Sequence, residues 1–359
     1  IFECYTYTPV VSVENGTFQQ YSYLNYNGNP TWTTLSLTNC LLVEGTTQGP
    51  YSGSFNTVLS SSAGVFQTVG NGAAYLANNS PYRNAGTLGI NPKLKADLRK
   101  KTTYPPVLLT QNITTDTTLL PQAQRDTDTP DLGYHYDPLD YLFGGFTLSN
   151  ATLLLTNGVA IGTYGARGIY LGVGARLVSE GSPTNPNRLG HVRRVQESLA
   201  LVNSGVDQAW LAFSSSGPPK PELRLIHSDL SVCGTLYDRH LGISANYYAS
   251  EAIHITDCYL RGSMVDFYNP NEDGLSITLR NNLCERINFN HTQDSATYKN
   301  FPLNIHNNTF LGGLLYYNYH HSGTAWNFGD NFFATETLSH SGYTFATANN
   351  GYKNGITAL

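Results

Sequence analysis

Short apolar-x-apolar strings recur along the second half of the chain, and each ends two residues later on a small polar side chain. The pairs are Ile226 and Ser228, Ile255 and Asp257, Leu279 and Asn281, Ile305 and Asn307, and Phe328 and Asp330. They return roughly every 25 residues, and each is followed by a second short apolar run such as Thr309-Phe310-Leu311. Alternation with period two predicts strands, and the polar residue marks a bend between them. A repeat of this length with no helical pattern predicts a β-solenoid, one coil per period. A single coil cannot bury its apolar positions, so neighbours stack about 4.8 Å apart and equivalent side chains form ladders.

The same register extends to Val13 and Asn15, Leu37 and Asn39, Leu148 and Asn150, and Leu171 and Val173. The inner member of every pair is apolar. The outer column is rich in amides and carboxylates, and stacked amides at a repeated corner bond to one another and to backbone groups freed by the bend. A structural ladder of Asn15, Asn39, Asn150, Asp257, Asn281, Asn307 and Asp330 is therefore expected, with Ser228 in the same column.

Read in order, residues 1–45 form two coils and residues 49–72 carry no assignable element. Asn91-Pro92 followed by Leu94 and Leu98 on one face predicts a short capped helix. Residues 188–222 read as a long excursion from the coils. Three strings then bear a family likeness: a strand followed by Ser80-Pro-x-x-x-x-Gly86, the segment Asp131-Leu-Gly-Tyr-His-Tyr136, and the run from Leu153 to Pro186. They resemble the closing and opening coils of large secreted bacterial right-handed parallel β-helix proteins of the pectate-lyase-like superfamily. The likeness covers residues 74–187 by motif and the remainder by coil pattern. It implies an all-β, right-handed parallel β-helix with a short helix and long loop insertions, and a secreted location. It also implies that residues 1–141 are the closing coils of one module and residues 142–359 the opening and middle coils of the next. That order suggests either one period of a longer tandem or a subunit that stacks end to end.

Composition narrows the function. Only 13% of residues are charged and the formal net charge is -5, which suits an uncharged polar extracellular surface and argues against nucleic acid as a partner. No apolar run reaches the ~18 residues of a membrane span. The five cysteines contain no CxxC pair and read as packing residues. Asp126, Asp128 and Asp131 have the oxygen-ligand character of a calcium loop, although the string lacks a turn glycine and a downstream bidentate Glu. The other reading is an Asp-rich turn satisfied by backbone N–H groups. No further cofactor is expected.

The resemblance implies a possible enzyme, in which Arg or Lys abstracts a proton beside acidic residues that hold calcium. The candidates are Asp266, Asp273 and Arg280, with Glu272, Arg261 and Arg286 on neighbouring coils. Tyr247-Tyr248 and the Tyr316–Tyr319 run are candidates for stacking on sugar rings or for covering solenoid edges. The preferred expectation is an extracellular structural or adhesive block that stacks head-to-tail on itself and touches extracellular polysaccharide or glycans. The alternatives are a lyase or hydrolase of an acidic polysaccharide, or a carbohydrate-binding module.

Overall fold

A computed structural model of the chain describes residues 9–25, 34–165, 167–196, 208–213, 217–231, 238–243, 252–262, 264–268, 276–292, 302–318, 326–341 and 345–356. The chain divides into two compact units. One comprises residues 1–106 and 123–138, the other residues 107–122 and 139–359. Residues 107–122, which the motif reading assigns to the first module, belong to the second unit: Val107–Leu109 pairs with Tyr141–Phe143, and Thr117–Leu119 with Thr152–Leu155.

The second unit is a parallel β-helix. Three parallel sheets run along it, a first of nine strands, a second of ten and a third of eight among the described residues. Each coil gives one strand to each sheet, as in Ser276–Arg280, Leu283–Glu285 and Asn288–Thr292. Parallel register places equivalent side chains directly over one another. Ile255, Leu279, Ile305 and Phe328 form one inner column, Leu260, Cys284, Phe310 and Phe333 a second, and Val265, Phe289, Leu315 and Leu338 a third. All are buried. Each aliphatic or aromatic side chain removed from water in this way contributes roughly 1.5–3 kcal/mol. At one end of the second column the rings of Phe310, Phe333 and Tyr352 stack at centroid spacings of 5.2 and 5.4 Å.

Pairing corrects the expected register in one coil. Leu225 pairs with Ile255 and Ile226 with Thr256, so Leu223 and Leu225 face inward and His227, not Ser228, stands at the corner. Two overlapping alternations, Leu223-Leu225 and the one ending on Ile226, made the sequence ambiguous by one residue. The strings at Phe146 and Ile169 pair with each other as expected, but in the third sheet rather than the first. The supposed excursion after residue 187 also contains coil strands, Asn187–His191 in the second sheet and Gln208–Phe213 in the third.

The first unit holds a shorter stack, with two three-stranded parallel sheets. Its third coil, Ser52–Ser54 and Thr57–Leu59, lies in the stretch left unassigned by sequence, which also supplies Phe66–Val69, paired antiparallel with Gly72–Leu76, the strand expected before Ser80. Leu41, Leu42 and Val43 are all buried because the strand is covered on both faces: Leu42 packs with Leu35, Leu37 and Cys40 inside, while Leu41 and Val43 pack with Val65, Leu76 and Leu132. The helix Pro92–Leu98 forms as the sequence predicts, with the Asn91 side chain accepting the Lys93 N–H at 2.9 Å and Leu98 buried.

Candidate functional site

The corner between the first and second sheets is a two-residue bend, and each of its residues has a separate task. Asp257, Asn281, Asn307, Asp330 and Asn349 adopt left-handed backbone, with φ between 54 and 59°, and His227 does so at 45°. Asn and Asp reach this region at lower cost than other residues with a Cβ, because a short polar side chain can bond locally. Asn15 and Asn39 make the same bend in the first unit, and Asn150 makes one between the third and first sheets. Every member of the expected ladder is thus a left-handed corner. In the second unit the side chains of Asn281, Asn307 and Asp330 are exposed, and although Asn281 donates to Asp257 Oδ1 and Asn349 to Asp330 Oδ1 at 3.2 Å, this column is a surface ladder and not a packed one.

The packed ladder is the next residue. Asn282, Asn308 and Asn331 are 3%, 1% and 2% exposed. Each Oδ1 accepts the backbone N–H of the preceding coil's corner: Cys258 to Asn282 at 2.9 Å, Asn282 to Asn308 at 2.9 Å, Asn308 to Asn331 at 3.0 Å and Asn331 to Asn350 at 3.0 Å. Each Nδ2 donates to a carbonyl of that same coil, Ile255, Leu279, Ile305 and Phe328 in turn. Asn187 and Asn56 repeat the pattern on Val159 and Cys40. The amide has one acceptor and two donors, which match the polar groups that a tight bend leaves without a strand partner. The doublets Asn281-Asn282, Asn307-Asn308, Asp330-Asn331 and Asn349-Asn350 were the signal available in the sequence.

The proposed catalytic group does not assemble among the described residues. Arg280 is on the first sheet, whereas Asp266 is a strand residue of the third sheet, paired with Asn290. Arg261 and Arg286 belong to the second sheet and the turn after it. Arg261 lies 3.9 Å from Asp229 and over the Tyr259 ring, and Arg286 lies 3.6 Å from Glu285. Asp273 and Glu272 fall outside the described residues, as do Tyr247, Tyr248 and Tyr319. Tyr317 is a core residue packed on Phe289 and Phe328, not a sugar platform. Arg280 instead lines a surface groove of about 360 Å³ with Thr256, Asp257, Asn281 and Asn307.

A second polar cluster lies inside the first unit. Asp126, Asp131 and His135 are buried, and one ligand-capable atom of each lies within 4.8 Å of the others. His135 Nε2 is 2.6 Å from Asp126 Oδ2, and its Nδ1 is 3.0 Å from the Gly133 carbonyl. The Asp131 N–H donates to Asp126 Oδ2 at 2.9 Å. Asp131 itself accepts from the Asn84 N–H at 2.8 Å and from the Thr103 hydroxyl. Burial holds the Asp131 carboxyl above the usual carboxylate range; those two hydrogen bonds oppose the shift, and the nearby Asp126 carboxylate adds to it. Asp128 is exposed and is not part of the cluster, so the expected triad of carboxylates is replaced by two carboxylates and an imidazole. Gly133, at φ 87°, lies between Asp131 and His135 in the turn that returns the imidazole to the carboxylates.

Comparison with known proteins finds no matching family model and no matching curated protein.

Proposed function

We propose that the chain is an extracellular structural or adhesive building block, a stiff β-helical segment that stacks head-to-tail in a tandem array or on copies of itself. The observation that carries this reading is the inner asparagine column, which passes the same hydrogen bonds from coil to coil as far as Asn350. Each coil bonds only to its neighbours, so a further coil adds the same contacts as the one before it. The edges of Ala346–Ala348 and Gly351–Tyr352 have the strand geometry that such an added coil would use. The low charge content fits an extracellular surface.

A second reading, recognition of an acidic polysaccharide, is favoured by the groove. It sets Arg280 beside Thr256, Asn281 and Asn307, with the Asp257 carboxylate, which accepts from the Asn281 amide, at the same wall. Such donors suit a uronate carboxylate and its neighbouring hydroxyls.

Sedimentation and electron microscopy over a range of concentrations test the structural reading. Particles that lengthen with concentration, and that Arg280→Ala leaves unaltered, support it. A monomer at the highest concentration, or turnover of a uronate polymer to a 4,5-unsaturated product, would replace it with the polysaccharide reading.

A further inference from the structure

We infer that Asp126, Asp131 and His135 form a binding site for a single divalent transition-metal ion of the zinc class. The three side chains come from one ten-residue stretch, yet they converge in the interior of the first unit. Asp126 and His135 side chains are 3% and 0% exposed, and Asp131 is 4% exposed. Ligands of such an ion lie about 2.0–2.2 Å from it, which requires ligand atoms some 3–4 Å apart. The separations found reach at most 4.8 Å, and the shortest, 2.6 Å between His135 Nε2 and Asp126 Oδ2, would have to open as an ion enters.

The tautomer of His135 follows from its partners. A backbone carbonyl only accepts, so the Nδ1 that lies 3.0 Å from Gly133 O carries a proton. Nε2 lies 2.6 Å from Asp126 Oδ2, so in the ion-free site a proton is shared between the two; a metal ion would displace that proton and take the Nε2 lone pair. A ligating histidine fixed through its other nitrogen by a carbonyl is the usual outer-shell arrangement of metal sites. Asp131 is oriented in the same manner, by the Asn84 N–H and the Thr103 hydroxyl.

Asp126 supplies the independent observation. Its Oδ1 is buried and has no hydrogen-bond partner among the described residues, whereas its Oδ2 accepts from the Asp131 N–H and contacts His135. A carboxylate oxygen left without a donor in an interior is costly, and a bound cation removes that cost. The donor set decides the class. Calcium and magnesium favour sites made of oxygen alone, while an imidazole with two carboxylates suits zinc, cobalt, nickel or manganese.

The alternative is a charge network in which the shared proton stays between His135 and Asp126 and no ion binds. It accounts for both His135 distances but leaves Asp126 Oδ1 as it is. The site would act as a clasp, because residues 131–134 reach back onto the short stack. The Asn15 amide donates to the Asp131 carbonyl at 2.8 Å, the Gly133 N–H to the Asn39 carbonyl at 2.8 Å, and the Tyr134 N–H to the Thr17 hydroxyl at 2.9 Å.

Calorimetric titration of chelator-treated full chain with Zn²⁺, repeated with Co²⁺, tests the site. The expected result is one ion per chain, a higher melting temperature with the ion bound, and at least a tenfold loss of affinity in Asp126→Asn. The absorption edge of bound zinc should report one imidazole and otherwise oxygen neighbours. No stoichiometric uptake would overturn the proposal in favour of the charge network. Unchanged affinity in Asp126→Asn, or two or more imidazoles on the ion, would also overturn it by placing the metal elsewhere. Should Asp126→Asn fail to fold, the imidazole count on the wild-type chain decides alone.

Discussion

The left-handed corner is built from asparagine in both units, but its side chains have different neighbours. In the first unit Asn39 is fully buried: it donates to the Thr87 carbonyl at 3.0 Å and to Asn15 at 3.2 Å, and accepts the Thr87 N–H at 2.8 Å. In the second unit Asn281 and Asn307 are exposed and line the surface groove. The bend itself therefore needs only a residue that tolerates positive φ. The outward amide gains structural weight where another part of the same unit covers it, and the inward amide one residue later carries weight in every coil that has it.

The largest effect that follows from this contrast is expected at the inward position. Asn308→Leu removes the acceptor for the Asn282 N–H and the donors to the Leu279 and His306 carbonyls, all in a buried setting. Unmade bonds of this kind cost about 1–3 kcal/mol each, so urea unfolding should show a loss of about 3 kcal/mol or more. Asn307→Gly, one residue away, should stay within about 0.5 kcal/mol of the parent, because glycine adopts the bend freely. Equal losses at the two positions would erase the distinction between the columns.

Next in size is Asn39→Gly, which keeps the bend and removes only the amide. A loss of roughly 2 kcal/mol in the first unit's transition is expected, against almost none for Asn307→Gly. A smaller effect comes from alkali. Burial pushes the Cys258 and Cys284 thiols up to about 12 from an ordinary value of 9.0. A raised folded-state value means that stability is complete below pH 9 and falls as pH rises toward 12, since only the unfolded chain ionises. At pH 10 each thiol should account for about 1 kcal/mol, and Cys284→Ala should flatten the pH dependence of the urea midpoint by one proton. The smallest change is a gain. Arg286 takes positive φ where Gly262 and Gly312 do so on the adjoining coils, and Arg286→Gly should raise stability by about 1 kcal/mol or less.

The coil pattern was legible because its cause is periodic. Leu37, Ile255, Leu279, Ile305 and Phe328 are inward in sequence pattern and buried in fact. The amide column was legible in kind but not in position. In a doublet such as Asn307-Asn308 the two side chains are chemically identical, and only the backbone angle of the first decides that the second turns inward. The acidic cluster was half legible for a related reason. Alternate carboxylates at 126, 128 and 131 suggest a shared ligand, yet the chain path leaves Asp128 in solvent and returns His135 to the interior.

The inner asparagine column also constrains how such a gene can change length. Successive amides are separated by 26, 23 and 19 residues, and the loops absorb the variation without disturbing the hydrogen bonds. Deleting one residue inside a strand turns its inner side chains outward. Excising residues 283–308 together would instead bring Asn331 beneath Asn282 and restore each inner column, leaving a rod shorter by about 4.8 Å. Insertions and deletions are therefore tolerated in whole coils or within loops, so drift in this lineage would be expected to count length in turns rather than in codons.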